Sequence, residues 1–115
     1  MRRGEIYLVN FGKKYNSEFG KIRPALIIQN DIANRNIEKV DFKGVSVIPL
    51  TSSIDGGSLR VQVSKRDKLD ISSEICINEL CTLDITRIKL DNMLTSLTSS
   101  ELKEVNIRLV DHLGL

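Results

Sequence analysis

A chain of 115 residues, 41% hydrophobic and 28% charged, has the size and balance of one globular domain, which excludes a disordered tail or a coiled coil. A net charge of +2 does not demand a polyanion partner, and with no Trp, two Tyr and three Phe the chain has too few aromatics for a base-stacking platform. No apolar run approaches the roughly 18 residues of a membrane span and the N-terminus lacks a signal-peptide pattern, so a cytoplasmic location is expected.

Gly4 to Asn10 alternates, with Ile6 and Leu8 set against Glu5 and Tyr7, and predicts a half-buried first strand. Phe11 to Ile22 breaks that period with Gly12, Gly20 and a run of lysines and asparagines. It reads as a long, polar, mobile loop of the kind that carries function. Arg23 to Asn30 is rich in Ile and Leu and suits a strand buried on both faces, with Pro24 admissible only at its start. The polar stretch from Asp31 to Lys43 accommodates a short helix, and Gly44 to Leu50 gives another strand, ended by Thr51-Ser52-Ser53.

Gly56-Gly57 marks a turn, Leu59 to Val63 alternates as a strand, and Glu74 to Leu80 is read as the fifth. Asp84 is placed to cap a short helical turn at Ile85 to Arg87, and Ile88 to Leu97 is a last short strand or an irregular segment. Thr98-Ser99-Ser100-Glu101 matches a capping box, and Leu102, Val105, Leu109, Val110 and Leu113 share one face of the closing helix. With no internal repeat or linker, residues 1–115 form one domain of mainly β (α+β) class, a strongly bent antiparallel sheet or partly open barrel with helices outside. Cys76 and Cys81 lie five apart in an extended segment, so they point to opposite faces and read as buried free thiols rather than a disulfide. A single histidine leaves a Cys/His zinc site short of ligands, and no metal or cofactor is expected.

Several stretches, in order, resemble the MazF/PemK toxin family. Arg2-Arg3-Gly4-Glu5-Ile6-Tyr7-Leu8-Val9 is similar to its first strand, and Gly20-Lys21-Ile22-Arg23-Pro24 followed by Ala25-Leu26-Ile27-Ile28-Gln29-Asn30-Asp31 to its Gly-x-x-Arg-Pro and buried strand. Pro49-Leu50-Thr51-Ser52 looks like its strand-ending Thr-Ser, Thr82-Leu83-Asp84 like its Thr-hydrophobic-Asp before a short helix, and the terminal Leu-Gly-Leu also fits. The resemblance spans essentially the whole chain. It implies an SH3-like, partly open β-barrel, a homodimer, and a type II toxin that cuts single-stranded RNA at a few-base motif without a metal. It also implies a partly disordered antitoxin whose acidic tail silences the toxin.

Metal-free RNA cleavage uses the substrate's own 2′-hydroxyl. The protein must help remove that proton, stabilise the extra negative charge on phosphorus, and help protonate the departing 5′ oxygen. Arginine suits the second task, because its planar fork sets several donors on one phosphate and stays charged. The resemblance implies Arg23 and Thr51 as the catalytic pair, with Glu18 on the preceding loop as base or guanidinium partner. Ser52 and Ser53 add donors at the same strand end. Phe19, Lys21, Asn78 and Glu79 are the further candidates for RNA contact.

Two departures stand out. A charged Arg-x-Asp pair found in some relatives is replaced by Cys76 and Asn78, and an arginine common before Thr82 is replaced by Cys81. His112 is set aside as a helix-end cation complementing the helix dipole. Two other functions compete: a gyrase-binding toxin of the related CcdB type, which keeps the fold and drops the chemistry, and a catalytically weak RNA-binding regulator.

Overall fold

The computed structural model describes residues 1–12 and 22–115. Among these, seven strands form one antiparallel system: β1 (Glu5–Asn10), β2 (Ile22–Ile27), β3 (Gly44–Thr51), β4 (Arg60–Val63), β5 (Ser73–Cys76), β6 (Cys81–Asp84) and β7 (Ile88–Ser96). Helix α1 (Asp31–Arg35) follows β2, and α2 (Ser99–Leu113) follows β7. Short 3-10 turns at Ile37–Lys39, Ile77–Glu79 and Ile85–Arg87 fill the connections. The spatial order is β4-β5-β3-β2-β1-β7, with β6 also paired to β3.

The mainly β class and the closing helix agree with the expectation, and the strand boundaries differ from it in part. The strand expected over Glu74 to Leu80 is two strands, β5 and β6, parted by the turn Ile77–Glu79. Moving three residues along β3, from Val47 to Leu50, moves its partner six, from Cys81 to Ile75, so the turn extrudes three residues and lets the sheet bend. An odd slip also exchanges the two faces of the partner strand. The segment after Arg87, left open between strand and irregular chain, is the nine-residue strand β7. The expected loop from Phe11 to Ile22 falls mostly outside the described residues, and its last member, Ile22, already opens β2.

The sheet is buried on both faces. Ile6, Leu26, Ile48, Leu50, Ile75 and Leu94 pack on one side with Val105 of α2. Val9, Ala25, Ile27, Val45, Val47 and Ile88 pack on the other with Ile37. That explains why β2 and β3 read as continuous apolar runs rather than alternating ones. A clasp brings the outer strands together. After β4 the chain turns at Asp67, in the left-handed region at φ 51°, and Lys68 N–H donates to Leu94 O (3.0 Å) on β7. Thr95 Oγ1 donates to Asp67 Oδ2 (2.7 Å), and a guanidinium nitrogen of Arg66 donates to Ser96 O (3.0 Å). The bent sheet is thereby drawn into a partly open barrel.

Helix α2 starts as the sequence indicates: Thr98 accepts from Glu101 N–H (3.2 Å) and Glu101 accepts from Thr98 N–H (2.8 Å). Glu101 is also gripped by Arg66 at 2.9 and 2.6 Å, which ties the helix to the clasp. Only Leu102, Val105 and Leu109 of the expected apolar face turn inward. Val110 and Leu113 are exposed and join Ile107 and Leu115 in an outward stripe, because the inward arc is satisfied by a narrower set of positions. Cys76 is buried, Cys81 half-buried, and both are free thiols; they lie on separate strands, so the expected single extended segment between them does not exist. Among the described residues, no helix is long and apolar enough to cross a membrane.

Val105→Ala deletes a fully buried contact between α2 and the sheet and should cost about 2 kcal/mol in urea unfolding, with the protein still folded at 25 °C. Arg66 holds the Glu101 carboxyl below its ordinary value of 4.5. A depressed carboxyl contributes stability above its unfolded value and loses it as pH falls through the folded value. Glu101→Gln should therefore melt below the parent at pH 7, and the gap should close as the pH drops below 4.5; a gap that widens in acid would contradict this assignment.

Candidate active site

Arg23 is the second residue of β2, and Thr51 is the last of β3. The two strands pair with Ala25 opposite Pro49, Leu26 opposite Ile48 and Ile27 opposite Val47. Carried two residues further, that register sets Arg23 opposite Thr51. Directly opposed side chains in an antiparallel pair stand on the same face, with Cβ atoms roughly 5 Å apart. On its other edge β3 sets Thr51 opposite Glu74, and Glu74 is opposite Gln62 of β4. One polar row thus crosses four strands in the order Gln62, Glu74, Thr51, Arg23.

Thr51 is buried, and its Oγ1 accepts a hydrogen bond from Ser53 N–H (3.2 Å). A hydroxyl has one donor and two acceptor sites, so this local cap leaves its hydrogen available to an acceptor such as a phosphate oxygen. Ser52 and Ser53 are exposed at the strand end. Arg23 and Ser52 line a common cleft of about 230 Å³. Leu8, Leu50 and Leu94 give it apolar walls, and Lys68 and Asp70 of the segment after β4 add charge.

Behind the row lies a group that alternation along the sequence does not reveal. Glu74 has no exposed surface. Its carboxylate accepts from Asp55 N–H (2.9 Å), from Gly56 N–H (3.1 Å) and from the Arg60 guanidinium (3.1 Å). The Asp55 amide foremost, then the Gly56 amide and Arg60, hold it below the usual carboxylate range against the opposing effect of burial. The same Arg60 nitrogen also donates to Ser53 O (3.3 Å). Its one sequence signal is a charge at the start of an apolar run, some way beyond Gly56-Gly57.

Of the other predicted residues, Glu18, Phe19 and Lys21 lie outside the described residues. Asn78 and Glu79 sit on the turn after β5, Asn78 exposed and Glu79 half-buried. Burial pushes the Cys76 thiol up, while the positive charges of Arg60 and Arg23 pull the other way and Glu79 adds to the rise, so these groups share one electrostatic neighbourhood. Cys81 packs with Val47 and Leu83 against the second core cluster. His112 stands in the last turn of α2, in a separate hollow with Ser58 and Arg108. Among the described residues, no three His, Cys, Asp or Glu side chains gather where they would hold a metal ion.

The family described as PemK-like, MazF-like toxin of type II toxin-antitoxin system matches residues 2–113. Endoribonuclease MazF of Staphylococcus saprophyticus is 37% identical over 118 residues, an alignment that takes in 100% of this chain and 92% of that protein. Among solved structures, MazF of Deinococcus radiodurans superposes with a TM-score of 0.77 at 22% identity, covering 100% of this chain and 97% of that one. An endoribonuclease from a mycobacterial species, solved in complex with its cognate antitoxin, gives 0.77 at 21% identity, covering 100% of this chain and 96% of that one. At those identities the superpositions speak for the fold alone. The match over residues 2–113, together with the relative aligned along the full chain, makes this protein a member of the MazF/PemK family of toxin endoribonucleases of type II toxin–antitoxin systems.

Proposed function

We propose that the enzyme cuts single-stranded RNA at a short sequence motif, without a metal, by attack of a ribose 2′-hydroxyl on the adjacent phosphorus. The P–O5′ bond breaks as the new P–O2′ bond forms, leaving a 2′,3′-cyclic phosphate and a protonated 5′-hydroxyl. The reading is supported by the β2–β3 register, which carried on from Ala25 opposite Pro49 brings Arg23 across from Thr51 at neighbouring strand ends, and by the cleft that Arg23 and Ser52 line. Arg23 neutralises the charge that builds on the non-bridging oxygens, and Thr51 donates its hydroxyl hydrogen to one of them. Ser52 and Ser53 add donors along the RNA backbone. Glu18 is the candidate to take the 2′ proton or to hold the guanidinium, and Phe19, Lys21, Asn78 and Glu79 are candidates for holding the flanking nucleotides.

Two partners belong to the same reading. The outward stripe of Ile107, Val110 and Leu113 on α2, continued by Leu115 beyond its end, is apolar surface that a second copy of the chain would cover in a homodimer. An antitoxin with a partly disordered acidic tail would silence the enzyme by laying carboxylates along the phosphate path. The toxin is proposed to act in the cytoplasm, where its RNA substrates are.

A fluorogenic RNA oligonucleotide carrying the preferred motif should be cleaved equally well with and without EDTA. Arg23→Ala should lower kcat by about a hundredfold to a thousandfold while RNA affinity falls far less, because the lost contact strengthens in the transition state. Equal losses in both would remove Arg23 from the chemistry, and inhibition of gyrase supercoiling without RNA cleavage would favour a binding toxin. Val110→Asp should shift sedimentation toward monomer; an unchanged dimer would move the interface off α2.

A further inference from the structure

The carboxylate of Glu74 and the guanidinium of Arg60 are the largest investment of buried charge in the described structure, and neither belongs to the pair assigned to the phosphate. Their bonds converge on one place. Glu74 takes the amides of Asp55 and Gly56, Arg60 takes the carbonyl of Ser53, and the two side chains are joined at 3.1 Å. The segment they grip is the one that leaves β3 at Thr51 and carries Ser52 and Ser53. Glu74 is also the direct cross-strand neighbour of Thr51 on β5.

An apolar side chain at position 74 would fill the same space at lower cost, since removing a carboxylate from water is expensive unless every lone pair is used. Here Oε1 accepts from the Asp55 and Gly56 amides and from Arg60, and Oε2 shares the Gly56 amide at 3.1 Å. That is how a carboxylate fixes a loop, whereas Leu or Val would only fill volume. Arg60 is only partly exposed, with 22% of its side chain accessible, and one nitrogen of its fork bonds both the Glu74 carboxylate (3.1 Å) and Ser53 O (3.3 Å).

We propose that Glu74 and Arg60 are a positioning pair for RNA cleavage, clamping the Ser53–Gly56 backbone so that the Thr51 hydroxyl is held opposite Arg23 and Ser52 is held at the cleft. The inference rests on the reading of Arg23 and Thr51 as the phosphate-binding pair. Neither Glu74 nor Arg60 touches the RNA in this scheme; they act through the loop. A misplacement of about 1 Å at a reacting centre is enough to cost about a hundredfold in rate.

The test measures kcat and KM for a single-site RNA oligonucleotide with the full chain and four variants, at a temperature where circular dichroism shows all of them folded. Glu74→Gln and Arg60→Ala should each lower kcat by about tenfold to a hundredfold with KM within about threefold of the parent. Arg60→Lys, which keeps the charge but not the fork, should recover part of the loss. Val105→Ala, destabilised at a distance, should keep kcat within about twofold. Should Glu74→Gln not fold, Arg60→Ala and Arg60→Lys carry the test alone.

A kcat for folded Arg60→Ala or Glu74→Gln within about twofold of the parent overturns the inference, as does a loss that Val105→Ala reproduces. Running Arg23→Ala beside them separates the two levels. If Arg23→Ala is unimpaired, the reading of the site fails and this inference fails with it. If Arg23→Ala is inactive while both clamp variants are unimpaired, only the clamp fails.

Discussion

Strand β3 is bonded along both edges, and on one of them it changes partner. Its first half lies against β6 and its last two residues against β5, with three residues of the partner pushed out in between. That slip bends the sheet, buries Ile75 and Ile77 in the cluster beneath α2, and turns Glu74 to the face shared by Thr51 and Arg23. Had the partner run on without the extra residues, the pairing that sets Cys81 against Val47 would bring Ile77 to Thr51, and an apolar side chain would stand in the place of Glu74. The barrel and the site therefore follow from the same irregularity.

Electrostatics at this end of the molecule is organised by depth. Glu74 is wholly buried and saturated by amides and a guanidinium, so it acts as a fixed anchor. Thr51 stands one strand closer to the opening, buried but with a hydrogen to give, and Arg23 lies at the start of β2 on the cleft wall. The strongly held carboxylate of the row thus lies deeper than Thr51 and Arg23, while Asp70 stands with Lys68 on the cleft lining.

Much of this could be read from the chain alone. The capping box at Thr98, the turn capped by Asp84, the apolar runs of β2 and β3, and the ends at Arg23 and Thr51 are local signals, and they appear where local physics puts them. What escaped depends on pairing. The break between β5 and β6 is dictated by the bend of the sheet, since Glu74 to Leu80 satisfies the pattern of one continuous strand. The burial of Glu74 depends on Arg60 and on the amides of Asp55 and Gly56, which are remote in sequence. Val110 and Leu113 looked like core because helical periodicity gives a face and does not say how wide an arc the sheet can cover. Arg3 shows the converse: a basic residue in a family-like opening, whose amide bonds Asp31 (2.7 Å) and whose guanidinium bonds Ile28 O (2.9 Å), works as a structural tie at the N-terminal end.

The outermost pairing joins the beginning of the chain to its end, with Glu5 of β1 opposite Ser96 of β7 and Ile6 opposite Thr95. A ribosome that has released β1 through β6 has made the strands that carry Arg23 and Thr51 but not β7, and β1 waits with one edge bare. Closing so long a loop is the slow, entropically opposed part of such a topology. The cleft wall that Leu94 supplies is therefore complete only once β7 has emerged and paired with β1.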